Sequence, residues 1–139
     1  MDRRITSAAS IDHLPEAMAF VLSCARESGF IGERLADIRL AVEEAVVNII
    51  GHAYGGAKGE FDIVCASRAG GGVVIEISDA GIPFDILSVP DPDIDAGIAD
   101  RAIGGLGVYL IRKLVNEVNY KRVGKRNVLT LTIYNERPE

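Results

Sequence analysis

Phe61-Asp62-Ile63-Val64-Cys65-Ala66-Ser67-Arg68-Ala69-Gly70-Gly71-Gly72-Val73-Val74-Ile75-Glu76-Ile77-Ser78 is the stretch that decides the architecture. Phe61, Ile63 and Cys65 alternate with Asp62, Val64 and Ala66. Val73, Ile75 and Ile77 alternate with Val74, Glu76 and Ser78. A period of two on each side of a triple glycine predicts a β-hairpin. Upstream the period is helical. Ser10 is a candidate N-cap, and Leu14, Ala17, Met18, Val21, Leu22 and Ala25 recur at spacings of three and four, up to Gly29. A second helix is expected from about Gly32 to Gly51 on Leu35, Ile38, Val42, Ala45 and Ile49. Downstream, residues 79–104 keep no period. A third helix is expected over 106–115 and two strands near 117–122 and 128–135, with a weak strand over 3–8 at the start.

Adjacent strand pairs favour an antiparallel or mixed sheet. The helices must then share one face of it, which gives a two-layer α/β sandwich. The 139 residues carry no internal repeat or linker composition, so residues 1–139 read as one domain. The formal charge of −5 removes any long-range attraction to nucleic acid or to an anionic membrane. The basic residues between Arg112 and Arg126 read as a solvated face. Cys24 and Cys65 lack metal-site spacing and read as small core residues. No apolar run of eighteen residues and no signal-peptide pattern is present, so a cytoplasmic, reduced protein is expected.

Three segments carry chemistry. On the second helix Asp37, Glu44, Asn48 and His52 follow one another at gaps of seven, four and four, which places them in one polar seam beside the apolar arc. Leu40 and Val47 make the helix apolar on most sides, so it should be largely buried. A buried carboxylate needs a partner or a task. The plain reading is an exposed stripe. The sharper one makes Glu44 a general base and Asn48 a neutral oxygen ligand for a hard cation. His52 reads by default as structural. Next, Ser78-Asp79-Ala80-Gly81 puts an aspartate at a strand end. It is either a plain turn or an acceptor for an exocyclic amine, with Gly81 admitting a flat ring. Last, Gly104-Gly105-Leu106-Gly107 opens a helix. It is either a hinge or a phosphate cradle of free N–H groups. No Gly-Lys-[Ser/Thr] follows, so it is not a Walker A loop.

Taken together and in this order, the segments resemble the GHKL (histidine-kinase-like) ATPase superfamily, and within it the stand-alone serine/threonine-protein kinases that act as anti-sigma factors. The asparagine box is matched by Glu44-Ala45-Val46-Val47-Asn48, continuing to His52-Ala53-Tyr54. The first glycine box is matched by Ser78-Asp79-Ala80-Gly81, with Pro83-Phe84-Asp85 following. The second is matched by Gly104-Gly105-Leu106-Gly107-Val108-Tyr109-Leu110-Ile111. The likeness covers about residues 5–133.

The resemblance implies a Bergerat ATP-binding fold with a mixed, mostly antiparallel sheet, binding ATP and Mg²⁺. It implies Glu44 as the catalytic base, Asn48 as the metal ligand, and Asp79 and Gly81 at the adenine. Gly104, Gly105, Leu106 and Gly107 fall in the phosphate loop, and residues 82–104 become an ATP lid. Arg101, the one basic residue of that stretch, is the candidate for the terminal phosphate. The implied partners are a STAS-type anti-anti-sigma protein and a sigma factor, with a homodimer as the assembly. An ATP-binding regulatory module without kinase activity is the alternative. The family also places a threonine near the adenine, after a glycine in the last strand pair. Here Lys125-Arg126-Asn127-Val128 lacks that glycine, and the contact has no assigned residue.

Overall fold

The structure is a computed structural model that describes residues 2–55, 58–88 and 105–138. Among the described residues five strands form one sheet: β1 (Asp2–Ala8), β2 (Glu60–Ser67), β3 (Val73–Asp79), β4 (Glu117–Val123) and β5 (Arg126–Ile133). Three helices, α1 (Leu14–Glu27), α2 (Gly32–Asn48) and α3 (Gly105–Leu114), cover one face. The strand order is β1-β2-β3-β5-β4, and every neighbouring pair is antiparallel. The sheet is therefore antiparallel throughout rather than mixed. The reason is topological: β4 goes to the edge, parallel in direction to β3, and β5 returns between them.

The β2–β3 reversal is made by Gly70, Gly71 and Gly72, with φ of +88°, +109° and +99°, a region that residues with a Cβ rarely enter. Gly72 is also pressed on its neighbour, because a Cβ there would lie 2.6 Å from the Ile133 carbonyl oxygen. Ser10 caps a short 3₁₀ turn, Ile11–His13, rather than α1 itself; its hydroxyl accepts from the Asp12 N–H at 3.3 Å. The helix proper begins with Pro15 in its first turn, where the missing N–H is one of the orphans in any case.

The core lies between the helices and the sheet. Ala17, Val21 and Ala25 of α1 and Ile38, Val42 and Val46 of α2 are fully buried with Ile63, Ile75, Ile77 and Leu131. Each such large side chain contributes about 1.5–3 kcal/mol by leaving water. Cys24 and Cys65 are both buried free thiols. Burial, with Cys24 beside it, pushes the Cys65 thiol up, which keeps it unreactive.

One expectation fails on α2. The helix is amphipathic, not buried on most sides: Leu40 and Val47 are 37% and 40% exposed. Among the described residues no second layer covers this apolar outer face. The far end of α2 is anchored by an ion cluster. Arg34 donates to the Tyr134 carbonyl at 2.8 Å, the Leu114 carbonyl at 2.5 Å and Asp37 at 3.1 Å. Arg137 meets both Asp37 oxygens, at 2.7 and 2.9 Å. Burial alone would raise the Asp37 carboxyl, but the hydrogen bonds and charges of Arg137 and Arg34 outweigh it and hold it below 3.8. A depressed folded-state pKa contributes stability above the unfolded value, and that contribution is lost as pH falls through the folded value. Arg34 thus ties α2 to the end of α3 and Asp37 ties it to Arg137 near the C-terminus, which together fix the axis along which Glu44 and Asn48 project.

Candidate functional site

The last turn of α2 widens into a π-helical turn, Ile49–Ala53, a local form that recurs at functional sites. It turns the Ala53 carbonyl outward to accept from the Ile82 N–H at 2.8 Å, which fastens the segment after β3 to the end of the helix. Gly81 sits in that seam. A Cβ there would overlap the Ala53 backbone, so the close approach that Gly81 permits is to the chain itself. Tyr54, just past the turn, accepts from the Ala80 N–H at 2.9 Å and donates to the Glu60 carbonyl.

Asp79 ends β3. It stands opposite Phe61 of β2 and Asn127 of β5. Directly paired residues on antiparallel strands share a face, so Asp79 and Asn127 both lie on the helix-covered side. Both are buried. One Asp79 oxygen, Oδ1, accepts from the Gly81 N–H at 2.9 Å and from Asn127 Nδ2 at 3.0 Å. Among the described residues nothing donates to the other oxygen. Above the pair opens a pocket that is continuous with solvent. Its walls are apolar, from Ala45, Ile49, Ala53, Ile77, Ile86 and Leu129. Its polar groups are Asn48, His52, Asp79 and Asn127, with Tyr120 and Phe84 at the rim. Flat apolar walls around a few placed polar atoms suit a planar heterocycle. His52 is exposed and stands 6.3 Å from the Phe84 ring.

One turn before Asn48, Glu44 is half-buried. Among the described residues its carboxylate has no hydrogen bond or ion pair. Burial raises its pKa above 4.5, and the charge of Glu43 adds to this. Asn48 donates through Nδ2 to the Glu44 carbonyl at 3.1 Å, which leaves its side-chain oxygen available. The first turn of α3 packs against Glu44, because a Cβ on Gly107 would lie 2.6 Å from Glu44 Oε2. The unpaired N–H groups of a helix's first turn are thereby brought beside the seam. Gly107→Ala is expected to leave the thermal midpoint in place, since a flexible carboxylate can swing aside. It should slow any reaction that uses Glu44 by 10- to 100-fold, the scale of a 1 Å misplacement. An unchanged rate in the variant would show that this placement of Glu44 is immaterial.

The structure therefore brings together Glu44, Asn48, Asp79 and the α3 N-terminus with Gly105, Leu106 and Gly107. Arg101 and Gly104 lie outside the described residues, as does most of the 82–104 stretch. Within its described part, Phe84 lines the pocket and Ile86 is buried. The seam on α2 divides: Asp37 belongs to the ion cluster. The structure adds residues that sequence reasoning missed. Asn127 stands opposite Asp79 on β5 and donates to it. Tyr120 donates to Asn127 Oδ1 at 2.5 Å, and Arg122 to the same oxygen at 3.2 Å and to the Gly81 carbonyl at 2.8 Å. Arg122 is thus part of the site's support and not merely a solvated charge. Only the register of the last hairpin could have signalled this.

Comparison with known proteins agrees with this geometry. The family model for the histidine kinase-like ATPase domain matches residues 7–133. The chain belongs to that family. Among histidine kinase-like ATPase domains it is similar to a serine-protein kinase RsbW of Bacillus cereus (strain G9842), 32% identical over 98 residues, covering 68% of this chain and 61% of the relative. It is also similar to a serine-protein kinase RsbW of Bacillus pumilus (strain SAFR-032), 34% identical over 104 residues, covering 68% and 62%. The chain thus spans about six tenths of the length of these curated relatives. Of solved structures, that of the RsbU and RsbW domains of Rv1364c from Mycobacterium tuberculosis superimposes with a TM-score of 0.68 at 22% identity, over 96% of this chain and 32% of that one. A blue-light activated histidine kinase, EL346 of Erythrobacter litoralis, gives 0.57 at 19% identity, over 87% and 41%. The two superpositions show the same α/β sandwich. No helix among the described residues is long and apolar enough to cross a membrane.

Proposed function

We propose that this protein is an ATP-dependent serine/threonine protein kinase acting as an anti-sigma factor, which phosphorylates a STAS-type anti-anti-sigma partner and holds a sigma factor while that partner is modified. The observation that carries the reading is Glu44: a carboxylate with no structural partner among the described residues, beside the α3 N-terminus and one turn from Asn48 at the pocket that Asp79 floors. The similarity to two proteins named serine-protein kinase supports it. By the same family resemblance the working assembly is a homodimer.

The pocket's donor set fits the nucleotide. The free Asp79 oxygen accepts an exocyclic amine, as adenine offers; a carbonyl at the same edge, as in guanine, would meet it acceptor to acceptor. The residues also fit Mg²⁺. No group of three or more His, Cys, Asp or Glu side chains that could cage a metal occurs among the described residues. Asn48 offers one neutral oxygen, which suits an ion held mostly by substrate phosphates and water. When bound there, the ion would offset triphosphate charge.

The chain's own residues do the rest. The α3 N-terminal N–H groups face the anionic end of the substrate. Glu44 takes the proton from the attacking hydroxyl as the phosphoryl group leaves ATP, a base role suited to a carboxylate whose pKa is raised. The test is to incubate the protein with ATP, Mg²⁺ and a cognate STAS protein. The expected result is one added phosphate on the STAS protein by mass spectrometry. ATP binding without transfer to the cognate partner would instead make this an ATP-gated binding module.

A further inference from the structure

We propose that Asn127 is a positioning residue for base recognition: its amide selects which oxygen of Asp79 faces the pocket and pins residues 82–84 along the pocket rim. The proposal rests on the ATP reading above and deepens it.

Asn127 is 6% exposed, and every hydrogen-bonding group of its side chain is engaged. Its two N–H bonds point to Asp79 Oδ1 at 3.0 Å and to the Ile82 carbonyl at 2.8 Å. Its oxygen accepts from the Phe84 N–H at 3.2 Å, the Tyr120 hydroxyl at 2.5 Å and Arg122 at 3.2 Å. The orientation is therefore decided by chemistry. A flipped amide would set oxygen against a carboxylate and a carbonyl, and NH₂ against an N–H and a guanidinium.

Two consequences follow. Oδ1 of Asp79 is filled by Gly81 and Asn127, so a ligand can reach only the second oxygen. The same amide joins four pieces of chain: the end of β3, the 82–84 segment, β5 itself, and the edge strand β4 through Tyr120 and Arg122. No other residue type of this size serves both sides. Serine or threonine has one hydrogen to give, aspartate has no N–H, and leucine has neither donor nor acceptor. The site is thus built around asparagine, and base selectivity should depend on it.

The test compares ATP and GTP affinity by calorimetry in the wild-type protein and in Asn127→Ala. The wild-type protein is expected to prefer ATP. The variant should lose roughly tenfold of that preference, the effect of a buried hydrogen bond to a charged group. Equal weakening of both nucleotides, or no weakening, would overturn the proposal and leave Asn127 a fold residue. If the wild-type protein binds neither nucleotide, the functional reading falls, and this proposal falls with it. A second measurement needs no variant. In the wild-type protein, the Asn127 side-chain amide resonances should shift on saturation with adenosine and stay in place with inorganic tripolyphosphate. Resonances unmoved by adenosine would overturn the proposal even if Asn127→Ala fails to fold.

Discussion

Asp79→Asn weakens ATP binding by about a hundredfold in a calorimetric titration, while the far-ultraviolet spectrum of the protein stays that of the wild type. The expectation follows from the two oxygens of Asp79. One accepts from Gly81 N–H and from Asn127 Nδ2, and the other is left for the ligand. An asparagine must put its NH₂ at one of these places. Towards the pocket, it faces the exocyclic amine, donor to donor. Towards the protein, it faces the Gly81 and Asn127 donors. Either way at least one hydrogen bond to a charged acceptor becomes a repulsion, and such bonds contribute about 1.5–3 kcal/mol each. ATP affinity within threefold of wild type would remove Asp79 from base recognition.

Glu44→Gln separates chemistry from binding. The substitution keeps shape and hydrogen-bonding size but removes the base. Phosphoryl transfer to the STAS partner should fall by about 10²–10⁴-fold, the usual contribution of a positioned base. ATP affinity should stay within a few-fold, since glutamine keeps the size of the side chain that packs against the first turn of α3. Stability should be equal or slightly higher, because burial and the charge of Glu43, which both disfavour the ionised form of Glu44, no longer act on a charged side chain. The wild-type pH profile carries the same signature. A base works only when deprotonated, so the rate should drop as pH falls through a value above the ordinary 4.5. A Gln variant that transfers phosphate at the wild-type rate contradicts the assignment.

The sheet and the helix order were legible because their signals are local. The period-two runs around Gly70-Gly71-Gly72 announced β2 and β3, and the spacing of Ile38, Val42 and Ala45 announced α2. Angular position on a helix was legible too, since Glu44 and Asn48, one turn apart, do share a face of α2. Depth along the axis was not. Asp37 lies seven residues before Glu44, about 10 Å along the helix, and its partner Arg137 comes from the other end of the chain. The exposure of Leu40 and Val47 was hidden for a related reason: composition states that a face is apolar, not that another element will cover it. Asn127 was illegible because its role depends on register. Its importance lies in standing opposite Asp79, a fact about two strands that neither strand states alone. With the expected glycine absent, the residue looked ordinary.

The most direct measurement is a crystal structure of the protein with Mg²⁺ and a non-hydrolysable ATP analogue. The account predicts the exocyclic amine about 3 Å from the free Asp79 oxygen and the metal about 2.1 Å from the Asn48 side-chain oxygen, with the phosphates towards the first turn of α3. A nucleotide bound elsewhere, with Asn48 facing bulk water and the Asp79–Asn127 pair untouched, would contradict it.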